Sequence, residues 1–183
     1  MLLLSDKFLQ LCHGAILYLD TNVFICAEEN DKLVELIADL TNTHNTAFVT
    51  LQSVEYEFSR GSRSLSEITL RREFVRSLVH TVMSVNPLLD GDRNATFSVA
   101  MSLVVGRGNS QYTDFLLAAA LHAYDNNIER HFVLSADVKA FPADLCDIEG
   151  VVTLNRKNGD IGHLHLISLD QGRYSKILRT LEG

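Results

Sequence analysis

The sequence of 183 residues has no tryptophan, only two prolines and only three cysteines. The cysteines are odd in number and none belongs to a CxxC pair, which argues against a disulfide framework or a zinc knuckle and indicates a reducing compartment. The scarcity of proline and the lack of low-complexity segments argue against long disordered regions. No apolar run approaches the roughly 18–20 residues that a membrane span needs. We therefore expect a cytoplasmic protein that does not enter a membrane.

A strongly basic surface is missing as well. The chain carries 16 Lys and Arg residues against 23 Asp and Glu residues, which gives a formal net charge of −7. Proteins that bind nucleic acid usually have a basic surface, so any such contact here must come from a local patch. One cluster of arginines is either a solvated helix face or a track for RNA phosphates. Its members are Arg60, Arg63, Arg71, Arg72 and Arg76.

Short apolar stretches alternate with helical patterns along most of the chain. The length and the 46% of apolar residues suit one compact domain, which we expect to span 1–183. The alternation predicts an α/β fold with a mainly parallel central sheet, flanked by helices on both faces. The alternating stretch 163–169 is predicted as an edge strand. Further strands are predicted at 16–19, 47–51, 80–86, 131–136 and 151–155, and helices at 53–61, 66–78, 93–105, 114–127 and 173–181.

Four acidic residues follow the predicted strands. Asp20 and Asp137 end the stretches LYLD and FVLSAD. Glu57 lies about two helical turns after the strand AFVT, and Asp114 opens the helix DFLLAAALHA. Ligands of open α/β sheets bind at the carboxyl ends of the strands, so we expect these side chains to meet at one edge. Four carboxylates repel one another unless a cation compensates, and oxygen ligands select Mg²⁺ or Mn²⁺, which suits phosphodiester hydrolysis.

The acids recur in four stretches with recognisable local patterns. LYLDTNVF (17–24) is an apolar strand followed by Asp-Thr-Asn, and VTLQSVEYEFSRG (49–61) is a strand, a short turn, and a Glu with a downstream Gly. SQYTDFLLAAAL (110–121) has an Asp that opens an Ala-rich helix, and FVLSADVKAF (132–141) is an apolar strand with Ser-x-Asp. In this order the four stretches resemble the motifs of PIN-domain ribonucleases.

The resemblance implies a three-layer α/β/α sandwich and a metal-dependent endoribonuclease acting on single-stranded RNA, similar to the toxin nucleases of bacterial toxin–antitoxin pairs. It covers about 16–155, and a predicted strand and helix extend the chain over about 156–183. An antitoxin-like protein partner and a homodimer are further expectations.

Roles for individual residues follow from the matching positions. The resemblance assigns metal binding to Asp20, Asp114 and Asp137, and Glu57 carries over as the fourth catalytic acid. Asn22 and Ser135 match polar positions that order the pocket. The candidates for contact with the RNA backbone are Arg60, Arg71, Arg72 and Arg76.

Each acid also has a plain structural interpretation. Asp20, Asp114 and Asp137 stand where an N-cap is favoured, and Glu57 could be an exposed helix residue. Glu55 competes for the role of the second acid, because positions i and i+2 of a helix point to different sides.

Rival functions remain open at this point. A haloacid-dehalogenase-like phosphatase would need an aspartate where Asn22 stands, and no suitably placed lysine is found. A non-catalytic PIN-like scaffold that binds RNA or a protein is the third hypothesis. His163 and His165 share one strand face and either bind a metal or form a surface pair, and no third ligand is evident from the sequence.

Overall fold

The computed structural model describes residues 1–84, 112–124 and 130–182. The helix predicted at 93–105 and the end of the one predicted at 114–127 lie outside these residues. The strands in the described part are β1 (Leu2–Leu4), β2 (Ile16–Leu19), β3 (Ala47–Leu51), β4 (Thr81–Met83), β5 (His131–Ser135), β6 (Cys146–Asn155) and β7 (Ile161–Leu169). They form one mixed sheet in the order β1-β6-β7-β5-β2-β3-β4.

Seven α-helices accompany this sheet in the described residues. They are α1 (Phe8–Cys12), α2 (Thr21–Glu29), α3 (Asp31–His44), α4 (Gln52–Ser59), α5 (Leu65–Leu78), α6 (Tyr112–Tyr124) and α7 (Gln171–Glu182). A single 3₁₀ turn, Val138–Ala140, follows β5. None of the described helices combines the length and the apolar character that crossing a bilayer requires. The predicted α/β class is confirmed.

The strands β4, β3, β2 and β5 form the parallel half of the sheet. Leu17 of β2 pairs with Phe48 of β3 on one side and with Phe132 of β5 on the other. All five residues of β5 are buried, as expected for strands covered on both faces. Because β2 and β5 are parallel neighbours, the residues that follow them, Asp20 and Ala136, emerge at the same edge of the sheet.

The strands β7, β6 and β1 form the antiparallel half, so the prediction of a mainly parallel sheet holds for only one half. β7 pairs antiparallel with both β5 and β6, and β1 is an edge strand. The edge-strand prediction for 163–169 is therefore wrong. The alternation arises because Leu164 and Leu166 are buried on one face, while His163 is exposed on the other. Such an alternation indicates that one face of the strand is open to solvent, and it does not indicate that the strand lies at the edge of the sheet.

Two short elements before residue 16 were not predicted. The edge strand β1 pairs with β6, with Leu2 opposite Leu154. Helix α1 buries Phe8 and Cys12 completely. A strand of three residues and a helix of five are too short to show a period in the sequence.

Helices α2 and α3 follow one another with a break at Asn30. The backbone of Asn30 is extended, and its side chain accepts a hydrogen bond from the Lys32 N–H at 3.1 Å. It therefore caps α3 in the manner that asparagine favours. Helix α6 carries an unbroken buried run from Leu116 to Leu121 and packs on β5 and β7. These contacts fix the start of α6, and with it Asp114, relative to the sheet.

Candidate functional site

Asp20 lies directly after β2 and is only 4% exposed. Its Oδ1 accepts a hydrogen bond from the Thr21 N–H at 2.6 Å, which caps helix α2. Its Oδ2 accepts two more, from Asn22 Nδ2 and from Ser135 Oγ, both at 2.6 Å. The capping interpretation of Asp20 is thus correct but incomplete, since the second oxygen is held by side chains from two different motifs.

The surroundings of Asp20 disfavour the ionised form of its carboxyl group. Burial raises the pKa of Asp20, and the negative charge of Glu57 raises it further. The hydrogen bonds from Ser135, Thr21 and Asn22 lower the pKa, but they do not offset burial. A buried carboxylate beside a second acid is destabilised in its charged form, and a bound cation would relieve that cost.

Asn22 and Ser135 join the ends of β2 and β5. Asn22 Nδ2 donates to Ser135 Oγ at 3.2 Å, and Asn22 Oδ1 accepts from the Ala136 N–H at 2.7 Å. Ser135 is fully buried and its Oγ also accepts from the Asp137 N–H at 3.0 Å. Both side chains therefore hold Asp20 and the end of β5 together, and their role in ordering a metal pocket stays a prediction.

Asp137 stands apart from this buried network. The residue is exposed, and its Oδ1 accepts a hydrogen bond from the Lys139 N–H at 3.1 Å. It therefore caps the 3₁₀ turn Val138–Ala140, which is the plain structural interpretation. The chain path still brings Asp137 to the edge that carries Asp20, because it follows Ser135 by two residues.

Glu57 lies between two acid-bearing segments. Thr21 Oγ1 donates to Glu57 Oε2 at 2.8 Å, and Thr113 Oγ1 donates to Glu57 Oε1 at 2.6 Å. Thr21 directly follows Asp20, and Thr113 directly precedes Asp114. Both oxygens of one carboxylate are therefore held by residues adjacent to the other two acids.

Sequence reasoning had not selected the two threonines as site residues. Each is a hydroxyl residue next to a candidate acid, Thr21 in LDT and Thr113 in YTD. That adjacency is the only signal in the sequence, since the acceptor Glu57 lies 36 and 56 residues away from them.

Asp114 lies in the first turn of α6 and is 8% exposed. A carboxylate at a helix N-terminus is stabilised by the helix dipole and by free backbone N–H groups. Asp114 directly follows Thr113, whose hydroxyl group contacts Glu57. The Asp20–Glu57–Asp114 set, together with Thr21 and Thr113, is called the acidic network below.

Glu55 is directed to the opposite side of α4 and into different surroundings. It is 5% exposed and forms ion pairs with Arg76 Nε at 2.9 Å and with Arg72 Nη2 at 3.4 Å. The structure thus places Glu57, and not Glu55, next to Thr21. The two-residue spacing on a helix separates the two carboxylates.

The predicted arginine track is largely engaged within the protein. Arg71 forms an ion pair with Glu28 at 3.3 Å, donates to the Phe58 carbonyl at 2.9 Å, and lies over the Phe58 ring at 4.9 Å. Arg72 and Arg76 are paired with Glu55. Arg60 is exposed at the end of α4. Contact of these arginines with RNA stays a prediction, and the ion pairs reduce the positive potential that such contact would use.

The oxygen atoms of this site are of the type that binds a hard cation. Within the described ranges, every group that donates a hydrogen bond to Asp20 or Glu57 is neutral. Carboxylate and hydroxyl oxygens are the ligands that Mg²⁺ and Mn²⁺ prefer. No group of three or more His, Cys, Asp or Glu side chains in the described part is close enough to hold an ion as arranged. The donor types fit a metal, and its binding would require the carboxylates to turn away from some of their present donors.

The histidines of β7 form a pair on the surface of the sheet. The rings of His163 and His165 are 6.3 Å apart, and His163 Nδ1 lies 3.1 Å from Thr153 Oγ1. Burial lowers the pKa of His165, and the neighbouring His163 lowers it further. The choice between a metal site and a surface pair stays open, and no third ligand is found among the described residues.

Comparisons with known proteins do not identify a family. No protein-family model matches the chain, and no match is found among curated proteins or solved structures. Membership in the PIN-domain family stays a prediction that rests on the four sequence stretches.

Proposed function

We propose that this chain is a metal-dependent endoribonuclease with a PIN-like three-layer α/β/α arrangement, which hydrolyses phosphodiester bonds of single-stranded RNA. One observation carries the proposal. The Glu57 carboxylate accepts hydrogen bonds from Thr21 and Thr113, the direct neighbours of Asp20 and Asp114. Two acid-bearing segments that are distant in sequence thereby contact the carboxylate of a third. N-capping explains the positions of Asp20 and Asp137 taken singly. It does not explain why the segments of Asp20 and Asp114 both contact Glu57.

The acidic network supplies the candidate metal ligands. Asp20, Glu57 and Asp114 would hold Mg²⁺ or Mn²⁺, and Asp137 would approach from the exposed turn after β5. When bound, such an ion stabilises charge on the phosphate and lowers the pKa of a bound water. The buried position of Asp20 favours this role, because its raised pKa disfavours a lone charged carboxylate.

Neutral side chains hold the acids in place. Ser135 and Asn22 bind the same oxygen of Asp20, so the carboxylate has a fixed orientation. The hydroxyl groups of Thr21 and Thr113 fix the two oxygens of Glu57. Mutation of groups that orient the ligands of a metal in this way typically costs about 10–100-fold in metal affinity or activity.

Water is the nucleophile in this proposal, and no covalent intermediate is formed. All three cysteines are buried and free. Burial raises the pKa of Cys12 and Cys146 to about 12 and raises that of Cys26 as well. Thiolates are therefore scarce at neutral pH. Attack by water leaves a 5′-phosphate and a 3′-hydroxyl, whereas attack by the ribose 2′-hydroxyl would leave a 2′,3′-cyclic phosphate.

A second candidate function is a scaffold that binds RNA or protein without cleaving it. The observation in its favour is that both oxygens of Asp20 and of Glu57 already accept hydrogen bonds from neutral donors. The phosphatase hypothesis has no comparable support. Position 22 is an amide that holds Asp20 and the Ala136 N–H, where the phosphatase would need a second aspartate. An antitoxin-like partner and a homodimer stay predictions of the resemblance.

Cleavage of single-stranded RNA with Mn²⁺ and with EDTA tests the proposal. We expect Mn²⁺-dependent products with 5′-phosphate and 3′-hydroxyl ends. Asp114→Asn should abolish cleavage and retain the fold and RNA binding. Mn²⁺ should also raise the melting temperature of the wild-type protein, because a ligand bound to the folded state stabilises it. This shift should be lost in Asp20→Asn.

Two results would count against a metal-dependent nuclease. Cyclic-phosphate ends, or cleavage that survives both EDTA and Asp114→Asn, would exclude this chemistry. RNA binding without cleavage and without any thermal response to Mn²⁺ would favour the scaffold.

A further inference from the structure

Two exposed tyrosines adjoin the acidic network. Tyr56 is 71% exposed and Tyr112 is 64% exposed. Among the phenylalanines and tyrosines whose burial is described, no other ring is exposed to this degree. Tyr18 and Tyr174, by contrast, lie in the core at 2% and 5% exposure. Tyrosine rings are enriched at binding interfaces, because they combine a large apolar body with a polar group.

Both tyrosines are one residue away from a direct side-chain contact between α4 and α6. Tyr56 precedes Glu57, and Tyr112 precedes Thr113. Thr113 Oγ1 donates to Glu57 Oε1 at 2.6 Å. Adjacent Cα atoms are about 3.8 Å apart. Each tyrosine is therefore the chain neighbour of one of the two residues that form this hydrogen bond.

Electrostatic attraction is a weak source of affinity for RNA on this surface. The chain has a net charge of −7, and Arg71, Arg72 and Arg76 are paired with glutamates. A nucleic-acid site with its described arginines paired in this way needs a further source of affinity. Stacking of bases on aromatic rings provides one, and it tolerates all four bases because each has a π-face.

We propose that Tyr56 and Tyr112 are stacking platforms for the bases of single-stranded RNA on either side of the bond to be cleaved. This inference rests on the proposed nuclease function. Arg60 is exposed one helical turn after Tyr56, on the same face of α4, where it can contact a phosphate next to the stacked base. Duplex RNA is a poor ligand for such a site, because its bases are already stacked on one another.

Binding of a short fluorescent oligouridylate in EDTA tests the inference without cleavage. Tyr56→Ala and Tyr112→Ala should each weaken binding about tenfold. Tyr56→Phe and Tyr112→Phe keep an aromatic ring and should bind nearly as the wild type does. Leu70→Ala is the matched control, because Leu70 is 65% exposed on the neighbouring helix α5 and carries no aromatic ring. Thermal unfolding of each variant checks that the fold is retained.

An abasic oligonucleotide of the same length separates stacking from other contacts. We expect the wild-type protein and the two alanine variants to bind it with equal, low affinity. Equal weakening of abasic and uridine oligomers by the alanine variants would show that the tyrosines contact the backbone, which overturns stacking. If Tyr56→Ala and Tyr112→Ala bind and cleave RNA as Leu70→Ala does, the inference is wrong while the nuclease function stands. A wild-type protein that neither binds nor cleaves RNA would remove both.

Discussion

Helix α4 carries two glutamates in opposite electrostatic surroundings. Glu55 is matched by two arginines of α5, and its charge is neutralised within the protein. Glu57 is matched by two threonine hydroxyl groups and lies near a second carboxylate, Asp20, whose pKa its charge raises. Removing one partner of a buried ion pair is destabilising, so Glu55 is tied to the stability of the contact between α4 and α5. A glutamate held by neutral donors beside another acid keeps an uncompensated charge, which is the condition for binding a cation.

The largest expected effect is the loss of RNA cleavage when Glu57 is replaced. Glu57→Gln should lower the rate of Mn²⁺-dependent RNA cleavage by a factor on the order of 10², because the proposed function gives this carboxylate a part in holding the metal ion. Glu55→Gln, the matched control two residues away, should keep most of the activity. Single-turnover cleavage of both variants measures this difference. Equal loss of activity in both variants would abolish the distinction between the two sides of α4.

The free energy of unfolding should fall more in Glu55→Gln than in Glu57→Gln, which is the reverse of the expected order for activity. Glu55→Gln leaves Arg72 and Arg76 without their buried partner, and we expect a loss of about 2 kcal/mol in the free energy of unfolding. The value is kept low because both arginine side chains are about half exposed, at 51% and 59%. Urea denaturation measures it. Arg76→Gln in the Glu55→Gln background should cost less than Arg76→Gln alone, and full additivity would contradict the pairing.

The raised pKa of Asp20 predicts a smaller effect on the dependence of stability on pH. Between the ordinary aspartate pKa of 3.8 and the raised pKa of Asp20, the folded protein binds more protons than the unfolded chain does. The contribution of Asp20 therefore falls as the pH rises through this window, and it is lowest above the folded pKa. In metal-free buffer, Asp20→Asn should remove this decline.

Asp170 provides a control of opposite sign for that measurement. The hydrogen bond from the Arg173 N–H lowers the pKa of Asp170. Its contribution to stability is therefore present above the ordinary aspartate pKa and is lost as the pH falls through the lowered pKa. Asp170→Asn should leave the decline due to Asp20 unchanged. A pH profile of the unfolding free energy that is identical in wild type and Asp20→Asn would refute the assignment.

The smallest effect should come from the hydroxyl groups that hold Glu57. Thr113→Val removes one hydrogen bond at nearly constant volume, and we expect a loss of about 1 kcal/mol in stability and of about tenfold in cleavage. Thr46→Val is the matched control, since Thr46 is also buried and its hydroxyl group donates to the Cys12 carbonyl at 2.8 Å. It should show the loss of stability without the loss of cleavage. Unaltered cleavage in Thr113→Val would argue against a positioning role.

The parts of the site that could be predicted follow from strand direction. Parallel strands end at one edge of a sheet, and this was enough to bring Asp20 and the Ser135 segment together from the sequence. The partners of the acids could not be predicted, because Thr113 contacts Glu57 across 56 residues with no local pattern. A helical period separates Glu55 from Glu57, but it does not say which side faces the sheet edge.

The pairing of the arginines and the position of β7 escaped prediction for a similar reason. A cluster of arginines is visible in the sequence, but the sequence does not show that their partners are Glu28 and Glu55 of other helices. The alternation in β7 was assigned to an edge strand, although it only shows that one face is open to solvent. Local patterns report the exposure of an element and leave its neighbours undetermined.

The distances along the chain between partners also determine when the site can form. Ser135 donates to Asp20 across 115 residues, and Leu2 of the edge strand pairs with Leu154. Contacts between such distant residues form late, because closing long loops costs entropy. A nascent chain that has emerged only as far as β4 contains Asp20 and Glu57 but neither Thr113 nor Ser135. The proposed nuclease would therefore remain inactive during most of its own synthesis, while the messenger RNA that encodes it is still being translated.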